Sequence, residues 1–407
     1  MFAIKTLIEL FDSCQIKNVI AGLRFVPEKI VFIGFKDTMT SAQKNALERF
    51  FKMRKLDTVL EYEIVGRYNY EAIVEKLNSI VEKNDDCCFD LTGGKELVLT
   101  AMGEVSAKKA VPMFQFNVRT SELIRVKNCE KIFDRPKSHM SILENVTLNG
   151  GSIVQNSDID YQWSFADDLK SDVENMWHIC RQNCGIWNRQ CNAFGGFEFN
   201  GRVDGLRVCV DLKKIKDNRF EVFIDKGIID NLVENNLISD YSLENNFLTY
   251  RYKNKQVRKC LTKAGNVLEL YTYIITKEIA LDEPGFYDDI DIGVVVDWDG
   301  IINNGTREEY DTRNEIDIIL MRDLVPIFIS CKNGEVNKEA LYELFTVAER
   351  FGGQYVKKIL LTSYLSTNDE KRKYILQRAR DMGIDIIENV DKMSREEFKD
   401  MLKRRAK

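Results

Sequence analysis

The sequence predicts an α/β chain of two α/β units joined by a less regular segment, and three observations predict it. Residues 1–148 alternate apolar strands with amphipathic helices. The alternation breaks at Asn149-Gly150-Gly151, and 149–258 show no steady period. From 259 to 407 it resumes in the order α-β-β-β-α-β. Strands alternating with helices build mostly parallel sheets with helices on their faces. The length of 407 residues fits two or three domains.

The first unit is expected to be a Rossmann-like, doubly wound sheet. Its strands are Thr6 to Phe11, Lys29 to Phe35, Thr58 to Val65, Cys87 to Leu91 and Val111 to Phe116. Helices are expected over Ile16 to Phe25, stopped by Pro27, from a cap at Ser41 to about Lys55, over Tyr70 to Val81 and over Lys95 to Lys108. In the middle segment a helix is expected from Phe165 to Arg181, and Gly195-Gly196 marks a Gly-rich stretch. Gly227 to Val233 reads as a helix, and Phe247 to Tyr252 as the second arm of a hairpin. Helix then hairpin is the order of a winged-helix-like insert.

In the last unit Ala264 to Ala280 is a helix, and Ile292 to Trp298, Asn314 to Met321 and Ile327 to Lys332 are strands. Asn337 to Phe351 is a helix ended by Gly352-Gly353, followed by a strand over Lys358 to Thr362, a helix over Asp369 to Met382 and a closing strand at Ile384 to Ile387. This is the core order of restriction-endonuclease-like nucleases. The expected domains are therefore 1–148, 149–258 and 259–407.

Composition narrows the chemistry. The net charge is -5, so no global positive field draws the chain to polyanions, and nucleic acid must be met by local basic patches. One such run is Arg251, Lys253, Lys255, Arg258, Lys259 and Lys263, and another is Lys371, Arg372, Lys373, Arg378 and Arg380. Each is more often a solvated face. Only His139 and His178 carry imidazoles, which leaves carboxylates, lysine and a metal as the plausible kit. No apolar run reaches the ~18 residues of a spanning helix, and the opening residues are too quickly polar for a signal peptide. The chain is expected in the cytoplasm with its ten cysteines reduced. Cys180, Cys184 and Cys191 lie near His178, but without a second CxxC half they read as structural thiols rather than a zinc site.

Glu315 and Asp317 are two apart on one expected strand, and Ser330 and Lys332 two apart on the next. Strand side chains alternate faces, so each pair shares a side, and a hairpin brings both pairs to one pocket. Glu269, on the preceding helix, can aim a third carboxylate at the same point. Hard cations such as Mg²⁺ or Mn²⁺ take oxygen ligands of this kind. A bound divalent ion acidifies water and neutralises charge on a phosphate, and a lysine beside it can orient the water. The plain alternative is a wet sheet face. Ile316, Ile318, Ile319, Ile327, Phe328 and Ile329 surround the charges, and charge in so apolar a hairpin is costly unless paired or bound to metal.

Asn314-Glu315-Ile316-Asp317 with Phe328-Ile329-Ser330-Cys331-Lys332 resembles the PD-(D/E)xK nuclease superfamily, and more closely the nuclease half of the CRISPR-associated CARF nucleases of type III systems. That resemblance implies a motif aspartate and metal ligand at Asp317, a motif lysine at Lys332 and a helix acid and metal ligand at Glu269. The acid usual two residues before the lysine is Ser330 here. Glu315 can compensate for it, and the Cys331 carbonyl can complete the metal shell.

In the first unit Asp90-Leu91-Thr92-Gly93-Gly94-Lys95 stands between a strand and a helix. Two glycines admit close backbone approach, and the helix start offers free N–H groups to a phosphate. It is neither a Walker A loop nor a dinucleotide fingerprint, and its plain reading is a cap with a glycine turn. Thr6 to Leu10 with Ser13-Cys14-Gln15 and Ile16 to Val19 resembles the opening of a CARF domain, and Asp90 to Gly94 resembles that domain's second characteristic loop. The resemblance covers roughly 1–140 and 260–400. It implies a homodimer that binds a cyclic oligoadenylate across its axis, with cyclic tetra-adenylate suited to an isologous dimer. Ser13, Gln15, Thr92, Gly93, Gly94 and Lys95 are the candidate contacts.

The expected function is a cyclic-oligoadenylate-activated, metal-dependent nuclease of type III CRISPR antiviral defence, cutting DNA or RNA. The competing class is a ligand-gated regulator that binds nucleic acid without cutting it. An oxidoreductase lacks its phosphate fingerprint.

Overall fold

The structure is a computed structural model that describes residues 4–130, 132, 135–154, 163, 167–217, 222–298, 300 and 313–407. The chain begins with strand β1 (Thr6–Leu10), helix α1 (Ile20–Phe25), β2 (Lys29–Gly34), α2 (Ser41–Met53), β3 (Val59–Ile64), α3 (Tyr70–Lys83), β4 (Cys87–Asp90), α4 (Glu96–Lys109), β5 (Met113–Asn117) and β6 (Glu122–Lys127). They form one sheet in the order β3-β2-β1-β4-β5-β6. The first five strands run parallel and β6 pairs antiparallel at the edge. The central strand β1 is buried along its whole length, as a parallel strand covered on both faces must be.

A short helix α5 (Ile142–Leu148) and strand β7 (Ser152–Ile153) lead to the middle segment. That segment holds α6 (Asp167–Cys180), α7 (Cys184–Asn200), β8 (Arg202–Asp204), β9 (Arg207–Asp211), α8 (Leu212–Asp217), α9 (Lys226–Glu234), β10 (Ile238–Glu244), β11 (Phe247–Tyr252) and α10 (Lys255–Thr262). The expected order of helix then hairpin is present in α9 and β10–β11, but within a four-stranded antiparallel sheet, β10-β11-β9-β8.

The last part runs α11 (Asn266–Asp282), β12 (Asp289–Asp297), β13 (Arg313–Arg322), β14 (Val325–Lys332), α12 (Lys338–Gly352), β15 (Lys357–Thr362), α13 (Asp369–Asp381), β16 (Ile384–Ile387) and α14 (Arg395–Ala406). Its sheet order is β16-β15-β14-β13-β12-β7, antiparallel from β7 to β14 and parallel from β14 to β16. The expected α-β-β-β-α-β-α-β order is found, with α14 added. No helix among the described residues is long and apolar enough to cross a membrane.

Three elements depart from the sequence reading. Thr40, not Ser41, caps α2, through a capping box in which its hydroxyl accepts from Gln43 N–H and Gln43 reaches back. The expected helix from Ile16 divides into a single tight turn over Gln15–Asn18 and then α1, because the Asn18 side chain is taken up by the loop before it. The Gly195-Gly196 stretch lies inside the 17-residue helix α7. Gly196 is buried, and a Cβ on Gly195 would stand in ordinary contact, 3.5 Å, with the carbonyl of Thr262 at the end of α10, so the pair packs within the helix rather than breaking it.

The cores tie the parts together. One face of the first sheet packs on α3 and α4. Its other face shares a continuous apolar cluster with Val294, Val296, Ile319, Phe328 and Phe351 of the last part. The middle segment shares a second cluster with the opposite face of the last sheet, through Ile290, Ile318, Leu320, Ile327 and Ile329. At the neck, the Asn145 and Asn149 side-chain amides both donate to the Phe351 carbonyl, at 2.8 and 2.9 Å, and satisfy an end carbonyl of α12.

Candidate functional site

The last sheet contains a kink. Ile290 packs into the core shared with the middle segment, whereas Val294 and Val296 pack into the core shared with the first sheet. All three would face one way on a regular strand. On the partner strand Ile318 and Leu320 belong to the first of these cores and Ile316 to the second. Both strands therefore exchange faces between Ile292 and Val294 and between Ile316 and Ile318. The residues at the exchange are Gly293, held at φ +62, and Asp317. A left-handed backbone is cheap only for glycine, which accounts for Gly293 at that place.

Beyond the exchange the paired ladder of β13 and β14 stops at Ile318 opposite Ile329. Asp317 fills the opening. Its Oδ2 accepts from the Cys331 N–H at 2.6 Å and from the Ser330 hydroxyl at 3.2 Å. Ser330 thus braces the aspartate, and Cys331 meets it through its N–H while its thiol is buried. Glu269, in the first turn of α11, is half-buried and points back toward Gly265, where a Cβ would lie 3.3 Å from its Oε1. Burial and the Asp317 charge push the Glu269 carboxyl up to about 8, Glu315 adds to the rise, and Lys263 and Lys332 oppose it. The charges of Asp317, Glu315 and Lys332 therefore all reach the Glu269 carboxyl. Glu315 is exposed, and the single alternation expected to align it with Asp317 does not run through the kink. The Lys332 side chain has no hydrogen-bond or ion-pair partner among the described residues.

The donors suit a hard cation, since they are carboxylate oxygens without imidazole. The Asp317 Oδ1 accepts no hydrogen bond from a described residue. Among the described residues, no three or more His, Cys, Asp or Glu side chains are drawn together tightly enough to form a metal shell. The same holds for Cys180, Cys184 and Cys191, which are free thiols with Cys180 and Cys184 at 4.0 Å.

The second constellation lies at the carboxyl ends of β1 and β4. The chain leaves β1 toward β2 on one side and returns at β4 on the other, and such a switch point is where open α/β sheets bind ligands. After β1, Asp12 organises the loop: its Oδ1 accepts from Cys14 N–H, its own N–H donates to Asn18, and Lys17 pairs with it at 3.4 Å. Ser13 is exposed, and Gln15 is buried with its Nε2 unpartnered among the described residues. After β4, the Thr92 hydroxyl donates to Asp90 and accepts from Phe116 N–H at 2.8 Å. Thr92 is thereby engaged in holding its loop. Gly93 touches the first loop, since a Cβ there would lie 3.1 Å from Asp12 Cβ and 3.2 Å from the Leu10 carbonyl. Gly94 is half-buried, and Lys95 is exposed as the cap residue of α4, with no side-chain capping bond.

Beneath both loops Glu9 and Asp90 are register partners and fully buried. Burial pushes the Asp90 carboxyl up to about 6 against its two Thr92 bonds, and burial together with Asp90 lifts Glu9 well above the usual carboxylate range. Sequence reasoning passed over Glu9 as one letter of a strand; its signal was an acid in the centre of an otherwise apolar run.

Ser13 and Gln15, but not Thr92 to Lys95, line a cavity of about 940 Å³ closed on its far side by Trp298, Arg350 and Gln354. Part of each basic run is engaged in ion pairs at the surface. Lys253 pairs with Asp172, Arg258 forks onto Glu198, Lys371 meets Glu335, and Arg372 meets Glu388.

The fold joins a mostly parallel α/β unit to a second α/β unit with a mixed sheet, each carrying one of the two constellations. No protein-family model matches the chain, and no curated protein matches it. Solved structures do. Protein VC1899 from Vibrio cholerae superposes with a TM-score of 0.73 at 18% identity, over 98% of each chain. Can2 from Sulfobacillus thermosulfidooxidans, solved in complex with cyclic tetra-adenylate, superposes at 0.67 and 15% identity, over 98% of this chain and 97% of its own. At these identities the likeness is one of fold, shared with both structures over nearly the whole chain. It spans the middle segment as well, which the sequence resemblance left unmatched.

Proposed function

We propose that the chain is a nuclease of type III CRISPR defence, switched on by a cyclic oligoadenylate and dependent on Mn²⁺ or Mg²⁺. The observation that supports this reading is Asp317 at the kink beside Gly293, braced by the Cys331 N–H and the Ser330 hydroxyl and near enough to Glu269 to raise its carboxyl, which the Glu315 and Lys332 charges also reach. Burial, and after it the Asp317 charge, drive the Glu269 carboxyl up to about 8, and a divalent cation would offset both; it would be held by Asp317 Oδ1, Glu269 and the Cys331 carbonyl. The cation supplies an acidified water and charge neutralisation. Lys332, unpaired among the described residues, is placed to orient that water or a phosphate oxygen.

In this reading residues 1–148 sense the activator, 149–258 form an insert and 259–407 cut. Two copies face each other across the activator, and Ser13, Gln15, Gly93, Gly94 and Lys95 meet it while Thr92 holds its loop. Cyclic tetra-adenylate is the activator of choice, because Can2, whose fold this chain shares, was solved with it bound. Coupling requires that the ligand favour one arrangement of the two copies over the other.

The test is a cleavage assay on labelled single- and double-stranded DNA and RNA with Mn²⁺ or Mg²⁺, with and without cyclic tetra-adenylate. Activator-dependent cutting that disappears in Lys332→Ala and Asp317→Asn is the expected result. Intact but retarded nucleic acid, unaffected by both substitutions, would turn the reading to a ligand-gated regulator.

A further inference from the structure

We infer that Asn188, in the middle segment, is a positioning residue for Lys332, an inference that rests on the nuclease reading above. The turn after β14 is closed on itself by the Gly334 N–H, which donates to the Lys332 carbonyl at 2.9 Å. It is pinned from two sides. On β15, Thr362 stands beside Lys332 in register and donates its hydroxyl to the Gly334 carbonyl at 2.7 Å. From α7, the Asn188 side-chain amide takes both ends of Asn333: its Nδ2 donates to the Asn333 carbonyl, and its Oδ1 accepts from Asn333 Nδ2 at 2.9 Å. The same Asn333 amide also reaches the Cys180 sulfur at the end of α6, at 3.2 Å. Gly334, at φ +149, would carry a Cβ 3.3 Å from Asn188 Nδ2, so the turn is shaped to admit the asparagine.

The residue next to the motif lysine is thus fixed by a reciprocal amide pair contributed from outside the last unit. The Lys332 ammonium has no partner among the described residues, so the direction of its long side chain depends on how firmly its backbone is held. Loss of the pair lets the turn drift, and a displacement of about 1 Å at a reacting group costs on the order of 100-fold in rate. This gives the middle segment a part in the chemistry that its lack of acids at the site conceals.

The test compares the full-length wild type, Lys332→Ala and Asn188→Ala with cyclic tetra-adenylate, Mn²⁺ and an oligonucleotide that the wild type cuts. Asn188→Ala is expected to lower kcat by about 10- to 100-fold, to leave KM within about twofold, and to speed amide exchange at 332–334 but not in the first sheet. A merely structural role would lower the folded fraction and leave the kcat of the folded molecules unchanged. Wild-type kcat in Asn188→Ala, with Lys332→Ala inactive, overturns the inference and spares the nuclease reading. A wild type that cuts nothing overturns both. If Asn188→Ala does not fold, Asn333→Ala removes the side-chain half of the pair while leaving the bond to the backbone carbonyl, and a smaller loss of kcat on the same measures is expected, an unchanged kcat overturning the inference.

Discussion

Asp90→Asn should stabilise the first α/β unit at neutral pH and do nothing for it in acid. Asp90 is fully buried, and burial lifts its carboxyl to about 6 from an ordinary 3.8. That difference corresponds to about 3 kcal/mol between the two protonation states. The sign follows from proton counting. Between 3.8 and about 6 the folded chain holds a proton that the unfolded chain has released, so stability falls as pH rises through that window and the full cost is present above it. Glu9, lifted well above its usual range, acts in the same direction. Asparagine cannot ionise, yet its Oδ1 can still accept from the Thr92 N–H and hydroxyl as Asp90 Oδ1 does. The gain is therefore up to about 3 kcal/mol at pH 7.5 and close to zero near pH 4. Urea titrations read by amide exchange over residues 6–10 and 87–92 at the two pH values measure it. An Asp90→Asn chain that is less stable at both would refute the reasoning, since the carboxylate would then be ionised and its Thr92 bonds would outweigh its burial.

Three other substitutions probe the rest of the molecule. Glu315→Gln should lower cleavage about as much as Asp317→Asn, each on the order of 100-fold, if Glu315 supplies the acid that Ser330 lacks; an unchanged rate would remove Glu315 from the site. Gly293→Ala should cost about 1–2 kcal/mol through its left-handed backbone rather than through a clash, because the sole neighbour of the added methyl is Glu315 Oε1 at 3.8 Å. Calorimetry showing an unshifted melting transition would contradict it. Arg395→Met should cost about 1–2 kcal/mol at pH 7 after allowance for partial exposure, because the guanidinium forks onto Glu278 and also reaches Glu174 at 2.8 Å. Burial raises the Glu278 carboxyl, but its bonds to Arg395 and Lys170 prevail and hold it at about 2. That stability is present above the ordinary 4.5 and is lost as pH falls toward 2, so the deficit measured by denaturant titration should shrink in acid.

The alternation of strands and helices in both α/β units was legible because each element carries its own period, and most boundaries fall within two residues of their expected place. What escaped the sequence escaped for local reasons. Strand β6 keeps an almost wholly exposed pattern at the sheet edge, so it presents no alternation to read. Helix α14 is mostly charged and buries only Phe398, Leu402 and Ala406, four residues apart. That stripe is visible once sought, but it is outweighed by its neighbours. In α7 the glycine pair reads as a break when viewed along the chain and as an ordinary packing contact when α10 is present. Tertiary packing overrides propensity there.

The candidate site divides along the same line. The spacing of Glu315 with Asp317 and of Ser330 with Lys332 was enough to bring charge to two neighbouring strands. It was not enough to say how the charges meet. A period of two assumes a strand that keeps its faces, and this one exchanges them at Gly293 and Asp317. The exchange leaves Asp317 at the end of the paired ladder, where its Oδ2 can take the Cys331 N–H and its Oδ1 stays open. A regular hairpin would spend that N–H on ladder pairing or leave it to water, and would direct the aspartate squarely into one core or the other. The positive φ of a single glycine therefore decides whether the same letters make a costly buried charge or an aspartate with one braced oxygen and one available oxygen. No pairwise spacing in the sequence encodes that choice. It depends on the partner strand, and so does the hold that Asn188 has on the turn beyond Lys332.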